Sequence, residues 1–187
     1  MDNRKVLLGL TKIFFGLIYK DIEKYREMRK KIEDFAAIDL ESEEILFDFT
    51  DYYREEFGSS LKRKWVAVKR IIQEDELVEL KQKAINWEKQ LSTSGKRSVN
   101  CDPGGISESR VILVTTKNYS HRIYLGRGIF GEVTLIYKDK GFQPLIWAYP
   151  DYRSIAFIKF AKDCREKFRL DKRALSLDKS GMKANFH

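Results

Sequence analysis

Leu125–Val133 reads LGRGIFGEV, and the fold turns on what that stretch is. Its glycines, Gly126, Gly128 and Gly131, satisfy G-x-G-x-x-G, a spelling shared by the glycine-rich loop of protein kinases and the first turn of dinucleotide-binding folds. The chain also contains VAVK at Val66–Lys69, like a kinase phosphate lysine. A kinase needs that lysine on the strand after the loop, where it reaches the phosphates; here it comes before. No catalytic Asp-to-Asn segment follows: His121-Arg122 is trailed by Ile123, and FDF at Phe47–Phe49 by Thr50. A dinucleotide turn must open a helix, so that the pyrophosphate meets its N-terminus, whereas Gly131 is followed by EVTLIY, a strand by composition. No G-x-x-x-x-G-K-[ST] occurs, which excludes a P-loop. The stretch is expected to be the turn and second strand of a β-hairpin.

Turn length then decides which side chains meet. With a two-residue loop at Arg127-Gly128 or Gly126-Arg127, paired positions sum to an odd number, and His121, Ile123 and Leu125 share a face with Phe130, Glu132 and Thr134. A three-residue loop with Gly128 left-handed places His121 opposite Val133 instead. Beside Glu132, His121 can act as a general base or metal ligand, or simply hold a structural hydrogen bond.

Outward from the hairpin, His121–Leu125, Ile129–Tyr137 and Phe142–Trp147 read as an antiparallel meander that Pro150 stops. SRVILVTTKNY before it carries a β-branched run that periodicity leaves open between strand and buried helix. Ser154 can cap a closing helix with Phe157, Ile158, Ala161, Cys164 and Phe168 inward. In the first part, Thr11–Tyr19 is a continuous β-rich run, as expected of a strand covered on both faces. Asp21 caps a helix carrying Ile22, Tyr25, Met28, Ile32 and Phe35; Ile45, Phe47 and Phe49 alternate as a strand; another strand surrounds Trp65–Val68. A helix over Glu74–Leu91 buries Leu77, Leu80, Ala84, Trp87 and Leu91, and Ser98–Cys101 returns as a strand. The order β-α-β-β-α-β is the ferredoxin-like split unit. The expected fold is therefore α+β, one domain over residues 1–170. It comprises a ferredoxin-like part at 11–102 and a meander with closing helix at 103–170, followed by a flexible basic tail at 171–187.

Composition bounds the function. The formal charge of +8 invites a nucleic-acid partner, but from Arg165 to Lys183 there are seven Lys/Arg against three Asp/Glu, so half the excess lies at the C-terminal end. Two cysteines, Cys101 and Cys164, cannot build a disulfide framework, which points to a reducing, cytoplasmic setting. The apolar run Val6–Ile18 is too short to span a bilayer, and no membrane partner is expected.

Candidate site residues cluster around four motifs. FDFTDYY supplies Asp48, Thr50 and Asp51 at a strand end, a pairing that can hold a divalent cation or divide acid and base roles. LKRKW supplies Lys62 and Arg63 as anion contacts, or a charged edge strand. NCDPGG, with Asn100 and Asp102, has the proline and glycines of a turn that exposes backbone N–H groups. Lys117 and Arg122 flank His121, and Thr134 shares its expected face.

FDFTDYY, GSSLKRKW, NCDPGG, TTKNYSHRIYLGRGIFGEVTLIY and WAYPDYRS, in that order and spacing, resemble a bacterial family known as domain-of-unknown-function family 4416, from about Lys12 to Phe168. The resemblance implies no established activity and transfers no catalytic residue; some members carry a GTP-binding label, for which this chain has no P-loop. The residues themselves point to a phosphate-bearing small ligand or nucleotide in a polar pocket, with hydrolase or transferase chemistry. His121, Glu132, Asp48 and Asp51 would be catalytic there, and Lys62, Arg63, Lys117, Arg122, Thr50, Thr134, Asn100 and Asp102 would contact the ligand. A non-catalytic RNA-binding module and a structural or assembly protein are the alternatives. RNA binding would need exposed aromatics such as Tyr19, Phe47 and Phe49.

Overall fold

The apolar run expected as a central strand is the axis of the molecule. In the computed structural model, which describes residues 8–47, 60–93 and 95–181, it forms β1 (Leu10–Tyr19), buried on both faces from Thr11 onward. Its antiparallel neighbours are β4 (Leu61–Gln73) and β5 (Val99–Ile106). The remaining strands are β2 (Ile38–Glu41), β3 (Ile45–Phe47), β6 (Arg110–Thr115), β7 (Ile123–Gly126), β8 (Ile129–Lys138) and β9 (Gly141–Pro144). These nine strands of the described residues join one antiparallel sheet in the order β2-β4-β1-β5-β6-β8-β7, with β3 also on β4 and β9 also on β8. The protein is thus α+β, with a helix at its C-terminal end.

Alternation along β1 sorts two layers. Ile13, Phe15, Leu17 and Tyr19 face α1 (Ile22–Phe35) and α2 (Leu77–Gln90), which bring Tyr25, Met28, Ile32, Leu77, Leu80 and Ala84 into one core. Phe14, with Trp65 and Ala67 of β4, faces α3 (Ile155–Gly181), which brings Phe157, Phe160, Ala161 and Cys164 into a second. Burying each large side chain of this kind contributes about 2 kcal/mol, so the helices are held mainly by their inward stripes. The caps read from sequence form: Asp21 accepts from the Glu23 N–H at 2.8 Å, and Ser154 from the Phe157 N–H at 3.2 Å.

Several expectations need correction. The strand expected over Ile45–Thr50 is β3 as far as Phe47, and residues 48–50 lie outside the described residues; β2 precedes it as a separate strand that the alternation does not reveal. NCDPGG is not a turn at a strand end; it lies inside β5. Gly104 serves close approach there, since a Cβ would come within 2.5 Å of Phe14 Cζ and 2.6 Å of the Ile112 carbonyl oxygen. The ambiguous SRVILVTT run is strand β6. The closing helix continues to Gly181, into the stretch expected as a tail, and Lys12, 1% exposed, meets Asp171 on it at 3.1 Å.

The hairpin itself combines the two turn readings. Gly126 pairs with Ile129 across a two-residue Arg127-Gly128 turn, both with positive φ (53° and 74°), as a type I′ turn requires. One residue further the register shifts: Tyr124 pairs with Phe130 and Ile123 with Gly131. The shift undoes the expected shared face of Ile123, Leu125 and Glu132.

Candidate functional site

β5 and β6 pair over only Gly104–Ile106 and Val111–Leu113. Beyond these residues they diverge. Val99–Pro103 keeps its β1 partners alone, and Val114 and Thr115 keep only β8. Backbone groups alternate sides along a strand, and those of Cys101 point away from β1. Pro103 lies two residues on, with the same orientation, and has no N–H to give β6. α2 substitutes for the missing neighbour: the Cys101 N–H donates to Glu88 Oε1 at 2.6 Å, and Lys81 Nζ donates to the Cys101 carbonyl at 3.3 Å.

The split opens a cleft of about 540 Å³, lined from one layer by Lys81, Ile85 and Glu88 and from the other by Arg63, Asp151 and Tyr152. Lys81 also donates to Asp102 Oδ1 at 2.7 Å, and the Asn100 amide donates to Asp102 Oδ2 at 2.6 Å. Arg97 donates to Asn100 Oδ1 at 3.0 Å and stands 3.8 Å from Glu88 Oε2. Opposite, Arg63 meets Asp151 at 3.0 Å and donates to the Tyr152 hydroxyl at 2.7 Å, its guanidinium over the Trp65 and Tyr152 rings.

The mouth is built by the segment before β7. Arg122 donates to Glu132 Oε2 at 2.6 Å, to the Lys117 carbonyl at 2.9 Å and to the Tyr149 hydroxyl at 3.0 Å, tying three segments together. His121 Nε2 meets the same Glu132 oxygen at 3.0 Å, and Thr134 donates to Glu132 Oε1 at 3.3 Å. His121 is not part of the β7 ladder; it sits in a turn closed by the Arg122 N–H donating to the Tyr119 carbonyl. That turn, rather than strand parity, carries its ring to Glu132, where it stacks between Tyr119 and Trp147.

The electrostatics separate the carboxylates. Burial, helped by the Asp102 charge, pushes Glu88 above its ordinary value, outweighing Lys81, the Cys101 N–H and Arg97. Burial also opposes ionisation of Asp102, but Lys81, Arg63 and the Asn100 amide outweigh it and hold this carboxyl down at about 2. Asp151 is pushed up by burial against the pull of Arg63. Lys81 loses solvation, yet Asp102 and Glu88 raise it above the ordinary lysine value. Burial drives the Cys101 thiol well above its usual value, so it is an inert core side chain.

Of the residues expected at a site, Arg63, Asn100, Asp102, Lys117, Arg122 and Glu132 line this one cleft. His121 and Thr134 touch it through Glu132. Lys62 does not join it: it follows the opposite parity from Arg63 and pairs with Glu44 at 2.9 Å. Asp48, Thr50 and Asp51 lie outside the described residues, and with them the expected cation pair. Among the described residues no group of three or more His, Cys, Asp or Glu is arranged to hold a metal ion. The sequence reading missed Lys81, Glu88, Arg97 and Tyr149. A signal existed: Leu77, Lys81, Ala84, Glu88 and Leu91 recur every four and three residues, a helix stripe with two charges set among apolar positions.

An α+β protein with a polar cleft through a split sheet is the class that this fold and site define. The chain belongs to the family described as Domain of unknown function (DUF4416), whose model it matches over residues 10–168. No curated protein and no solved structure matches it.

Proposed function

We propose that the cleft binds a phosphate-bearing small ligand, a nucleotide being one form, and supports hydrolase or transferase chemistry on it. One observation carries this reading. Among the described residues the cleft is lined by five cations (Arg63, Lys81, Arg97, Lys117, Arg122) beside four acidic side chains (Glu88, Asp102, Glu132, Asp151), so several N–H donors converge where an oxyanion can lie. Charges removed from water need compensation, and an oxyanion with several acceptor oxygens meets Lys and Arg donors well. Glu88 and Asp102 are pushed in opposite directions, the pattern of a proton-carrying acid beside a fixed anion. Thermal unfolding with inorganic phosphate, pyrophosphate and nucleotides tests the reading. A ligand at about 100 times its Kd adds about 2.7 kcal/mol of stability. Lys117→Ala should weaken that gain; no gain with any phosphate compound would end the proposal.

The first half is proposed to be a ferredoxin-like unit, supported by the strand order β2-β4-β1-β5 with α1 and α2 on one face. The RNA-binding alternative loses support, because Tyr19 and Phe47 are buried and helices cover both faces of the sheet; Phe49 lies outside the described residues. A reducing, cytoplasmic setting is supported by Cys101 and Cys164, both free and buried. No helix among the described residues is long and apolar enough to cross a membrane.

A further inference from the structure

Glu88 stands apart from the other carboxylates of the cleft. Asp102 has both oxygens engaged, by Lys81 and Asn100, and Glu132 both engaged, by Arg122 with His121 and by Thr134. Asp151 is tied to Arg63. Glu88 commits Oε1 to the Cys101 N–H at 2.6 Å, while Oε2 lies 3.8 Å from Arg97, beyond hydrogen-bond reach. The residue is 4% exposed and lines the cleft. A backbone N–H only donates, so Oε1 stays an acceptor and any proton on this carboxyl sits on Oε2. Among the described residues the charged and titratable groups facing Glu88 are Lys81 from its own helix, Asp102 and the Cys101 thiol from β5, and Arg97 from the loop before β5. Burial favours the protonated form of Glu88 among them.

An oxyanion entering this cleft meets Oε2, and two unprotonated oxygens facing each other repel. We propose that Glu88 Oε2 shares one proton with an oxygen of the bound oxyanion, so that the cleft takes phosphate, which brings that proton, in preference to sulfate, which brings none. This deepens and rests on the phosphate-binding reading above. The proton balance is simple. Hydrogenphosphate donates its own O–H to ionised Glu88, with no net proton exchanged with solvent. Sulfate binds only after Glu88 has taken a proton from solvent, and then accepts the Oε2–H. No bond to phosphorus or sulfur is made or broken.

Titration calorimetry of the whole chain with inorganic phosphate and with sodium sulfate, from about pH 5.5 to about pH 8.5, tests this. Sulfate affinity should fall about tenfold per pH unit above the titration of Glu88, with one proton taken up on binding, while phosphate affinity does not. At the alkaline end phosphate should bind at least about tenfold more tightly. Glu88→Gln keeps a carbonyl oxygen for the Cys101 N–H and turns an amide donor into the cleft. It should raise sulfate affinity at high pH about tenfold and flatten its pH dependence. If both anions bind the wild type equally at every pH, or Glu88→Gln keeps the preference, Glu88 has no such role and the phosphate-binding reading stands. If neither anion binds at any pH, this proposal falls, and pyrophosphate and nucleotides then decide the phosphate-binding reading. Should Glu88→Gln fail to fold, the wild-type pH profiles decide by themselves.

Discussion

The two ends of β5 show one strand solving the same problem in opposite ways. At Gly104–Ile106 its outer edge is closed by β6, and the fit is tight enough that Phe14 and the Ile112 carbonyl leave no room for a side chain on Gly104. At Asn100–Asp102 no strand among the described residues arrives on that edge, and Glu88 and Lys81 of α2 take the Cys101 backbone groups instead. A neighbouring strand offers a donor and an acceptor without charge. A helix offers them only through long side chains, and here those are ionisable, so the open end is both polar and charged. A cleft in a sheet thus requires substitutes for the lost ladder, and here these substitutes bring its charge.

Breaking the closed end should have the largest effect. Gly104→Val sets a branched side chain against Phe14 and a backbone carbonyl, and should lower stability in urea unfolding by roughly 3 kcal/mol or more. An unchanged midpoint would mean that β5 and β6 are not clamped there. Breaking the open end comes next. Lys81→Met leaves Asp102 and the Cys101 carbonyl without their cation and should cost about 2 to 3 kcal/mol. Adding Asp102→Asn should recover a large part of that loss, and if it recovers none, the pair is not the source of the effect.

Acid acts on the open end alone. Asp102 is held at about 2, below its ordinary value of 3.8, so its contribution is fully present above the ordinary value and is lost as pH falls through about 2. Wild type should therefore lose roughly 1 to 2 kcal/mol over that window relative to Asp102→Asn. Glu88 works the other way: its raised carboxyl binds a proton more tightly when folded, so it adds stability as pH falls, and Glu88→Gln should lack that gain. Parallel acid profiles for wild type and both variants would contradict these assignments. The smallest effect is expected at the rim. His121→Ala should cost about 1 kcal/mol or less, because Glu132 keeps Arg122 and Thr134, while the fluorescence of Trp147 changes as its stacking partner goes.

Much of the site was written in local pattern. Arg63, Asn100, Asp102, Lys117, Arg122 and Glu132 all stand out in the sequence as polar candidates, and they line one cleft. Their roles were less legible. The sequence suggests an anion contact at Arg122 and gives no sign that its guanidinium also ties Glu132, Lys117 and Tyr149 together. Lys81 and Glu88 were hidden because charges on a surface helix usually face water. Only the loss of pairing beside β5 gives these two an inward task.

By itself the sequence determined the elements that depend on neighbours a few residues apart. The buried run of β1, the Asp21 and Ser154 caps and a tight turn within Gly126–Gly128 follow from side-chain periodicity and from steric limits on φ, while the length of that turn does not. The tertiary structure alone decided where pairing stops. Whether Pro103 sits in a turn or along a half-open strand, whether His121 meets Glu132 by parity or by a preceding turn, and whether Glu88 faces solvent or a backbone N–H all depend on elements distant in the chain. Backbone hydrogen bonding has to be completed somewhere, but its distant partner leaves no mark in the local pattern.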